Sequence, residues 1–302
     1  MNVIAWMKAL PFLLLALPAF AGPTPGLEET YAAQGRRIVA SFASAPFPHP
    51  ARAEGHTYQG KSYPAAEHYA DSTVAIFIPK GFRETDRIDF VVHFHGWNNT
   101  VAGTLETYHL VEQLVASGKN AILVVPEGPH DAPDSFGGKL EDTGGFRRFM
   151  DEVLATLRER AGFKRKDFSA DRIILSGHSG GYHVMAGILD RGGLDRNTAE
   201  VWLFDALYGQ TDSFVAWAQR SQGRLIDLYT DHGGTKEETE KLITHLRAQD
   251  TTVLQAEEAQ LDPSALQGRH YVFVHTDLTH NEVLDKRGEF ALFLKTSVLT
   301  DR

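Results

Sequence analysis

The sequence predicts an α/β protein in which a mostly parallel central sheet carries helices on both faces. Three observations lead there. Short runs rich in Val, Ile, Leu and aromatic residues recur from about Thr73 onward. Amphipathic helical stretches alternate with them, and most of the runs are continuously apolar rather than alternating. A strand that is apolar on both sides has to be covered on both sides, which is the habit of parallel sheets.

The elements can be taken in order. Leu27 to Phe42 reads as a short amphipathic helix, followed by a Pro-rich surface stretch from Pro46 to Pro50. Thr73 to Ile78, Ile88 to Phe94 and Asn120 to Val125 read as strands. Gly145 to Arg160 is a helix, because Phe146, Phe149, Met150, Val153, Leu154 and Leu157 recur at the spacing of one helical face. Arg172 to Leu175 is a strand running straight into Gly177, and Val201 to Phe204, Arg224 to Tyr229 and Tyr271 to His275 are three more. Thr235 to Ala248 is helical, with Thr235 and Glu238 matching a capping box. No internal repeat or long low-complexity tract interrupts this order.

The first residues read as a targeting segment rather than as part of the fold. Lys8 precedes the apolar run Leu10 to Leu17, and Ala19-Phe20-Ala21 offers a small-x-small cleavage site. Pro11 and Pro18 interrupt the run, which falls short of the roughly 20 residues of a spanning helix. The expected organisation is a signal peptide at 1–21, an N-terminal extension at 22–72 packed on the domain, and one catalytic domain at 73–302. The protein is then exported, to periplasm or medium, with no stable membrane span after cleavage.

Charge and cysteine content narrow the function classes. The chain has 30 Lys and Arg against 39 Asp and Glu, a formal net charge of −9, and loses a further positive charge with Lys8. Nucleic-acid binding needs clustered cations, so no nucleic-acid partner is expected. There is no cysteine, which rules out disulfides, thiolate nucleophiles and thiolate metal sites.

Ligands of open parallel sheets sit beyond the carboxyl ends of the strands. The residues there are His95-Gly96-Trp97, Pro126-Glu127-Gly128, Ser179, Asp205, Asp231 and His280. Arg172 to Gly181 reads as strand, sharp turn and helix, with Ser179 at the turn in Gly177-His178-Ser179-Gly180-Gly181. A serine on such a turn is pushed clear of the sheet, the glycines relieve crowding, and the following helix offers free N–H groups to a forming oxyanion. Ser179 is therefore the candidate nucleophile. The strand ending in His95-Gly96 would lend the N–H of Trp97 to an oxyanion hole, paired with the N–H of Gly180. His95 would orient that loop by hydrogen bonding, while Gly96 allows a close backbone approach.

A serine hydroxyl needs a base. Of the 14 histidines, His280 lies in the loop between the last strand and the final helix and is the candidate. Two aspartates compete to orient it. Asp231, after Leu225 to Tyr229, is preferred, since Thr235 already caps the next helix. Asp205, after Val201 to Phe204, would need a partner if buried on its apolar strand end. The loop Pro126 to Thr143, with Glu127, His130, Asp131, Asp134 and Phe136, is expected to overhang the site. His95, Gly96, Glu127 and Tyr182 are the candidate substrate-binding residues. A metal reading through His93 and His95, which share a strand face, lacks a closely following Asp; no metal and no cofactor are expected.

With these residues placed, the chain from Thr73 to Leu299 resembles the α/β-hydrolase superfamily. The likeness rests on Gly177-His178-Ser179-Gly180-Gly181, His95-Gly96-Trp97, an acid after a late strand, and His280 before the last helix. Its Gly-His-Ser-Gly-Gly-Tyr and Leu-Phe-Asp-Ala-Leu-Tyr-Gly segments also resemble secreted bacterial serine hydrolases of unassigned substrate. The resemblance implies the α/β-hydrolase fold and acyl transfer through an acyl-serine. In most of the superfamily the acid follows the strand matching Leu225 to Tyr229, favouring Asp231; in some lipases it follows the preceding one, which matches Asp205. The expected activity is cleavage of a carboxylic ester, small or polymeric. A peptidase or amidase with the same triad, and a non-catalytic binding module on this fold, are the alternatives.

Overall fold

Side chains alternate between the two faces of a strand, so each apolar strand feeds two cores at once. The computed structural model, which describes residues 31–302, shows this directly. The expected signal peptide lies outside the described residues, as do residues 27–30 of the expected first helix. Phe90, Val92, Leu175, Val201 and Leu203 point into one core. Their chain neighbours Val91, Ile174, Trp202 and Phe204 point into the other.

The strands are β1 (Gly35–Ser41), β2 (His56–Tyr58), β3 (Lys61–Tyr63), β4 (Thr73–Pro79), β5 (Arg87–Phe94), β6 (Ala121–Pro126), β7 (Ser169–His178), β8 (Thr198–Phe204), β9 (Arg224–Thr230), β10 (Val253–Glu257) and β11 (Tyr271–Thr276). Nine of them form one sheet in the order β1-β4-β6-β5-β7-β8-β9-β11-β10, and β2 and β3 form a small separate hairpin. From β6 through β10 all neighbours are parallel; β4 runs antiparallel to both β6 and β1.

The helices are α1 (Ala65–His68), α2 (Val101–Thr107), α3 (Leu110–Ser117), α4 (Gly145–Arg160), α5 (Tyr182–Gly187), α6 (Thr211–Ser221), α7 (Lys236–Ala248) and α8 (Glu289–Thr296). Helices α4 to α7 cover the first core, through residues such as Phe149, Met185, Trp217 and Leu246. Helices α2, α3 and α8 cover the second, through Leu105, Leu114 and Phe293. The chain thus has the predicted mostly parallel sheet with helices on both faces. Among the described residues no helix is long and apolar enough to cross a membrane.

Two expectations are corrected. Gly35–Ser41, taken as the second half of a helix, is the edge strand β1, with Ile38 and Val39 buried opposite Ile76 and Ala75 of β4. A sheet edge offering unpaired N–H and C=O groups outweighs weak helical patterning in a segment rich in β-branched residues. The strand β10 was not foreseen, because its alternate half-exposed residues look like a loop. It is held by parallel pairing to β11.

The strand order turns back on itself at β5: β6 lies on one side and β7 on the other. Such a reversal opens a crevice above the strand ends. The loops after β5 and β7 meet there.

Candidate active site

Ser179 sits immediately beyond β7 with φ of 51°, a left-handed backbone that a residue with a Cβ rarely adopts. That strain lifts its side chain out of the turn between β7 and the helical turns that lead into α5. The β5 loop comes close: a Cβ on Gly96 would lie 2.7 Å from the Ser179 Cβ and 3.3 Å from its Oγ. Only glycine fits there, so the Gly96 backbone lies against the Ser179 side chain.

His280 reaches the site from the loop after β11. Its Nδ1 is 2.7 Å from Asp205 Oδ2. A second contact steadies the same loop: His178 Nε2 lies 2.8 Å from the His280 carbonyl. A carbonyl only accepts, so Nε2 of His178 carries the proton and its Nδ1 is left to accept from the Tyr108 hydroxyl at 3.3 Å. Burial, and then the neighbouring His280, push the His178 pKa down to about 4, so this imidazole is neutral at pH 7. The two rings lie 4.6 Å apart between centroids, tilted by 34°.

Asp205, not Asp231, meets the imidazole. The Asp205 side chain is fully buried at the end of β8 and has a complete set of partners. Besides His280, it accepts the Thr230 hydroxyl at 2.9 Å and the Thr235 hydroxyl. Burial alone would raise its pKa, but the hydrogen bonds from His280 and Thr235 outweigh it and hold the carboxyl below its ordinary value. A Cβ on Gly233 would sit 1.6 Å from Asp205 Oδ2, so the loop after β9 closes directly over the carboxylate.

Asp231 is exposed and engaged elsewhere. It pairs with Lys236 Nζ at 2.6 Å and lies 3.1 Å from His275 Nε2. The reason is register: Tyr229 of β9 lies opposite His275 of β11, so the residue just past β9 meets the strand end of β11 rather than the loop beyond it. Thr235 was expected to cap α7 with its side chain. It stands at the N-cap position without a side-chain capping bond, because its hydroxyl is turned to Asp205. Glu238, the other half of the expected box, accepts instead from the Thr211 hydroxyl at 2.7 Å.

The expected substrate-binding residues divide into two groups. Tyr182 does line the hollow in front of Ser179, with Trp97, Ser135, Gly180 and Tyr208. His95 and Glu127 are instead buried behind the β5 loop. His95 Nδ1 is 2.7 Å from the Gly96 carbonyl, and its Nε2 accepts from the Gly128 N–H at 3.0 Å. Glu127 Oε2 accepts from the Val101 N–H at the start of α2. Burial would raise the Glu127 pKa, but contacts from His130 and His95 reverse this and hold it at about 2. Both side chains are buried and brace the loop through these hydrogen bonds.

Sequence reasoning missed Ser135, Tyr208 and the two threonines that hold Asp205. Ser135 lies in the overhanging loop and accepts from the Trp97 indole N–H at 2.7 Å. Tyr208 follows Asp205 by three residues, inside the Leu-Phe-Asp-Ala-Leu-Tyr-Gly segment, where its ring was given no role. His93, of the metal reading set aside above, is fully buried with Nδ1 2.9 Å from Ser176 Oγ. A different group, Asp71, Glu127 and His130, holds three ligand-type atoms within 4.8 Å of one another. It lies behind the β5 loop, away from Ser179.

No family model and no curated protein matches this sequence. Solved structures of like fold do exist. A fluorophosphonate-binding serine hydrolase of Staphylococcus aureus aligns with TM-score 0.50 at 11% identity, covering 87% of this chain and 99% of that one. A ferulic acid esterase aligns with TM-score 0.51 at 13% identity over 86% and 99%. The feruloyl esterase module of Clostridium thermocellum, as an S954A mutant with sinapinate, gives TM-score 0.51 at 11% identity over 92% and 94%. At these identities the likeness is one of fold: this chain has the α/β-hydrolase fold.

Proposed function

We propose that this protein is a serine hydrolase that cleaves a carboxylic ester through an acyl-serine, with Ser179, His280 and Asp205 as its triad. The observation that carries the reading is the 2.7 Å contact between His280 Nδ1 and the buried Asp205 Oδ2, beside a serine held in the left-handed region. The serine hydrolases and esterases of like fold support the ester-cleaving class.

In this mechanism His280 Nε2 takes the Ser179 proton as Oγ bonds to the ester carbonyl carbon. The Trp97 and Gly180 N–H groups receive the oxyanion. Asp205 keeps the proton on Nδ1 and stabilises the imidazolium. The ester C–O bond then breaks, and the alcohol leaves with the proton held by His280. Water, deprotonated by the same imidazole, attacks the acyl-serine and releases the acid and the free hydroxyl.

Labelling with a fluorophosphonate probe tests the reading. The wild-type chain is expected to label at Ser179, and Ser179→Ala is expected to lose both labelling and ester hydrolysis with an unchanged circular dichroism spectrum. Hydrolysis that survives in Ser179→Ala, or that a chelator abolishes, would sink it. An exported location belongs to the same proposal and rests on Lys8, the run Leu10 to Leu17 and Ala19-Phe20-Ala21. N-terminal sequencing of the protein recovered outside the cytoplasm should begin at Gly22.

A further inference from the structure

We infer that the hollow in front of Ser179 is a ring-binding subsite, and that the ester taken there carries a neutral aromatic ring. The inference rests on Ser179 being the nucleophile and goes on to name the substrate class.

The hollow has a volume of about 310 Å³ and is lined by Trp97, Ser135, Ser179, Gly180, Tyr182 and Tyr208. Half of these are aromatic and none carries a charge, so an ionic substituent finds no counter-charge along this wall. Its size is at the lower end of small-molecule sites, about 300–1,000 Å³, enough for one ring and the reacting ester group.

Exposure points the same way. Among the described residues only three large hydrophobic side chains stand well exposed: Trp97 at 41%, Tyr208 at 40%, and Val298. Both aromatic ones border Ser179. Exposed aromatic surface gathered at a reacting group is the mark of a binding surface, whereas a single exposed aliphatic residue elsewhere is ordinary.

The rings are also held in place before any ligand arrives. The Trp97 indole N–H donates to Ser135 Oγ at 2.7 Å, and the Tyr58 ring of β2 packs edge-on against the indole at 5.1 Å. The Tyr208 hydroxyl donates to the Gly233 carbonyl at 2.5 Å, and its ring lies 5.9 Å from that of Tyr182. Each of these two rings has its donor group tied to protein. Beside the hydroxyls of Ser135, Ser179 and Tyr182, the wall of the hollow offers aromatic surface, which favours another ring in an offset or edge-on arrangement. A flexible alkyl chain gains only buried area there and has to be ordered to do so.

The test compares matched esters whose rings are insulated from the carbonyl, so that intrinsic reactivity is similar. Methyl 3-phenylpropanoate is set against methyl hexanoate, and 2-phenylethyl acetate against hexyl acetate, with a peracetylated sugar as a separate arm. In one pair, kcat/KM is expected to favour the ring-bearing ester by about tenfold or more. Trp97→Leu and Tyr208→Leu, checked for folding by circular dichroism, should each shrink that ratio by about threefold or more. A ratio near one in both pairs, a ratio unmoved by both substitutions, or a clear preference for the sugar acetate overturns the inference.

Protection of Ser179 from the fluorophosphonate probe by 2-phenylethylboronic acid, compared with hexylboronic acid, reads the same preference without turnover. Equal protection counts against the ring. Labelled Ser179 without ring preference defeats this inference alone, whereas an unlabelled Ser179 defeats the triad reading beneath it.

Discussion

Replacing Asp205 by Asn, beside Asp231→Asn as its control, separates the two candidate acids. Asp205 accepts from His280 Nδ1 at 2.7 Å and from the Thr230 hydroxyl at 2.9 Å through Oδ2, while the Thr230 backbone N–H faces Oδ1 at 3.4 Å. A backbone N–H cannot reverse its role, so the amide oxygen of Asn is expected at the Oδ1 position and its NH₂ at the Oδ2 position. That NH₂ then faces Nδ1, moves the imidazole proton to Nε2, and leaves no free lone pair toward Ser179. Loss of the negative charge also removes stabilisation of the imidazolium in a fully buried position. Together these should lower kcat by about 10³–10⁴-fold, equivalent to about 4–5.5 kcal/mol, with KM changed little.

Asp231→Asn alters an exposed ion pair with Lys236, so kcat should stay within about twofold of wild type. The assay is steady-state hydrolysis of a chromogenic acetate, with thermal melts to confirm folding. The reasoning is refuted if Asp205→Asn retains more than about a tenth of wild-type kcat, or if Asp231→Asn shows the large loss instead.

Two further outcomes are expected. Thr235→Val removes one donor to the buried Asp205; kcat should fall about tenfold, well short of the Asp205→Asn loss, and the melting temperature should drop by a few degrees. Wild-type kcat in that variant would show that the hydroxyl only fills space. Asp227, fully buried in β9 with the Thr239 hydroxyl at 2.6 Å, has its pKa raised to about 7 by burial. The folded state therefore holds a proton that the unfolded chain releases near pH 4, so the contribution of Asp227 to stability is greatest below that pH and declines as pH rises to about 7. The decline amounts to about 4 kcal/mol at most, and Asp227→Asn should flatten it in urea melts at pH 4, 6 and 8. An identical pH dependence in the variant would mean that other groups set it.

Much of this molecule is legible in its sequence, because the signals are local. Continuous apolar runs announce strands covered on both faces, the six apolar positions of Gly145–Arg160 announce a helix, and Ser179 and His280 are recognisable from the strand and helix beside each of them. The misreadings share a cause. Gly35–Ser41 became a strand because β4 presents an edge to it, and Val253–Glu257 because β11 does; neither partner is near in sequence.

The choice between Asp205 and Asp231 was of the same kind. Both aspartates follow late strands, and nothing local distinguishes them. The sheet order and the register of β9 against β11 direct Asp231 to His275 and leave the His280 loop over the end of β8. The sequence by itself determined the chemical types and their order along the chain: a serine on a glycine turn, an acid, then a histidine. Only the tertiary structure decided which acid meets the imidazole, that Thr235 turns from the helix start to hold it, and that Trp97 and Tyr208 flank the serine as exposed rings. Hydrogen bonds and burial between residues 25 to 102 positions apart depend on how the strands are ordered in space, and strand order is a property of the whole sheet rather than of any segment.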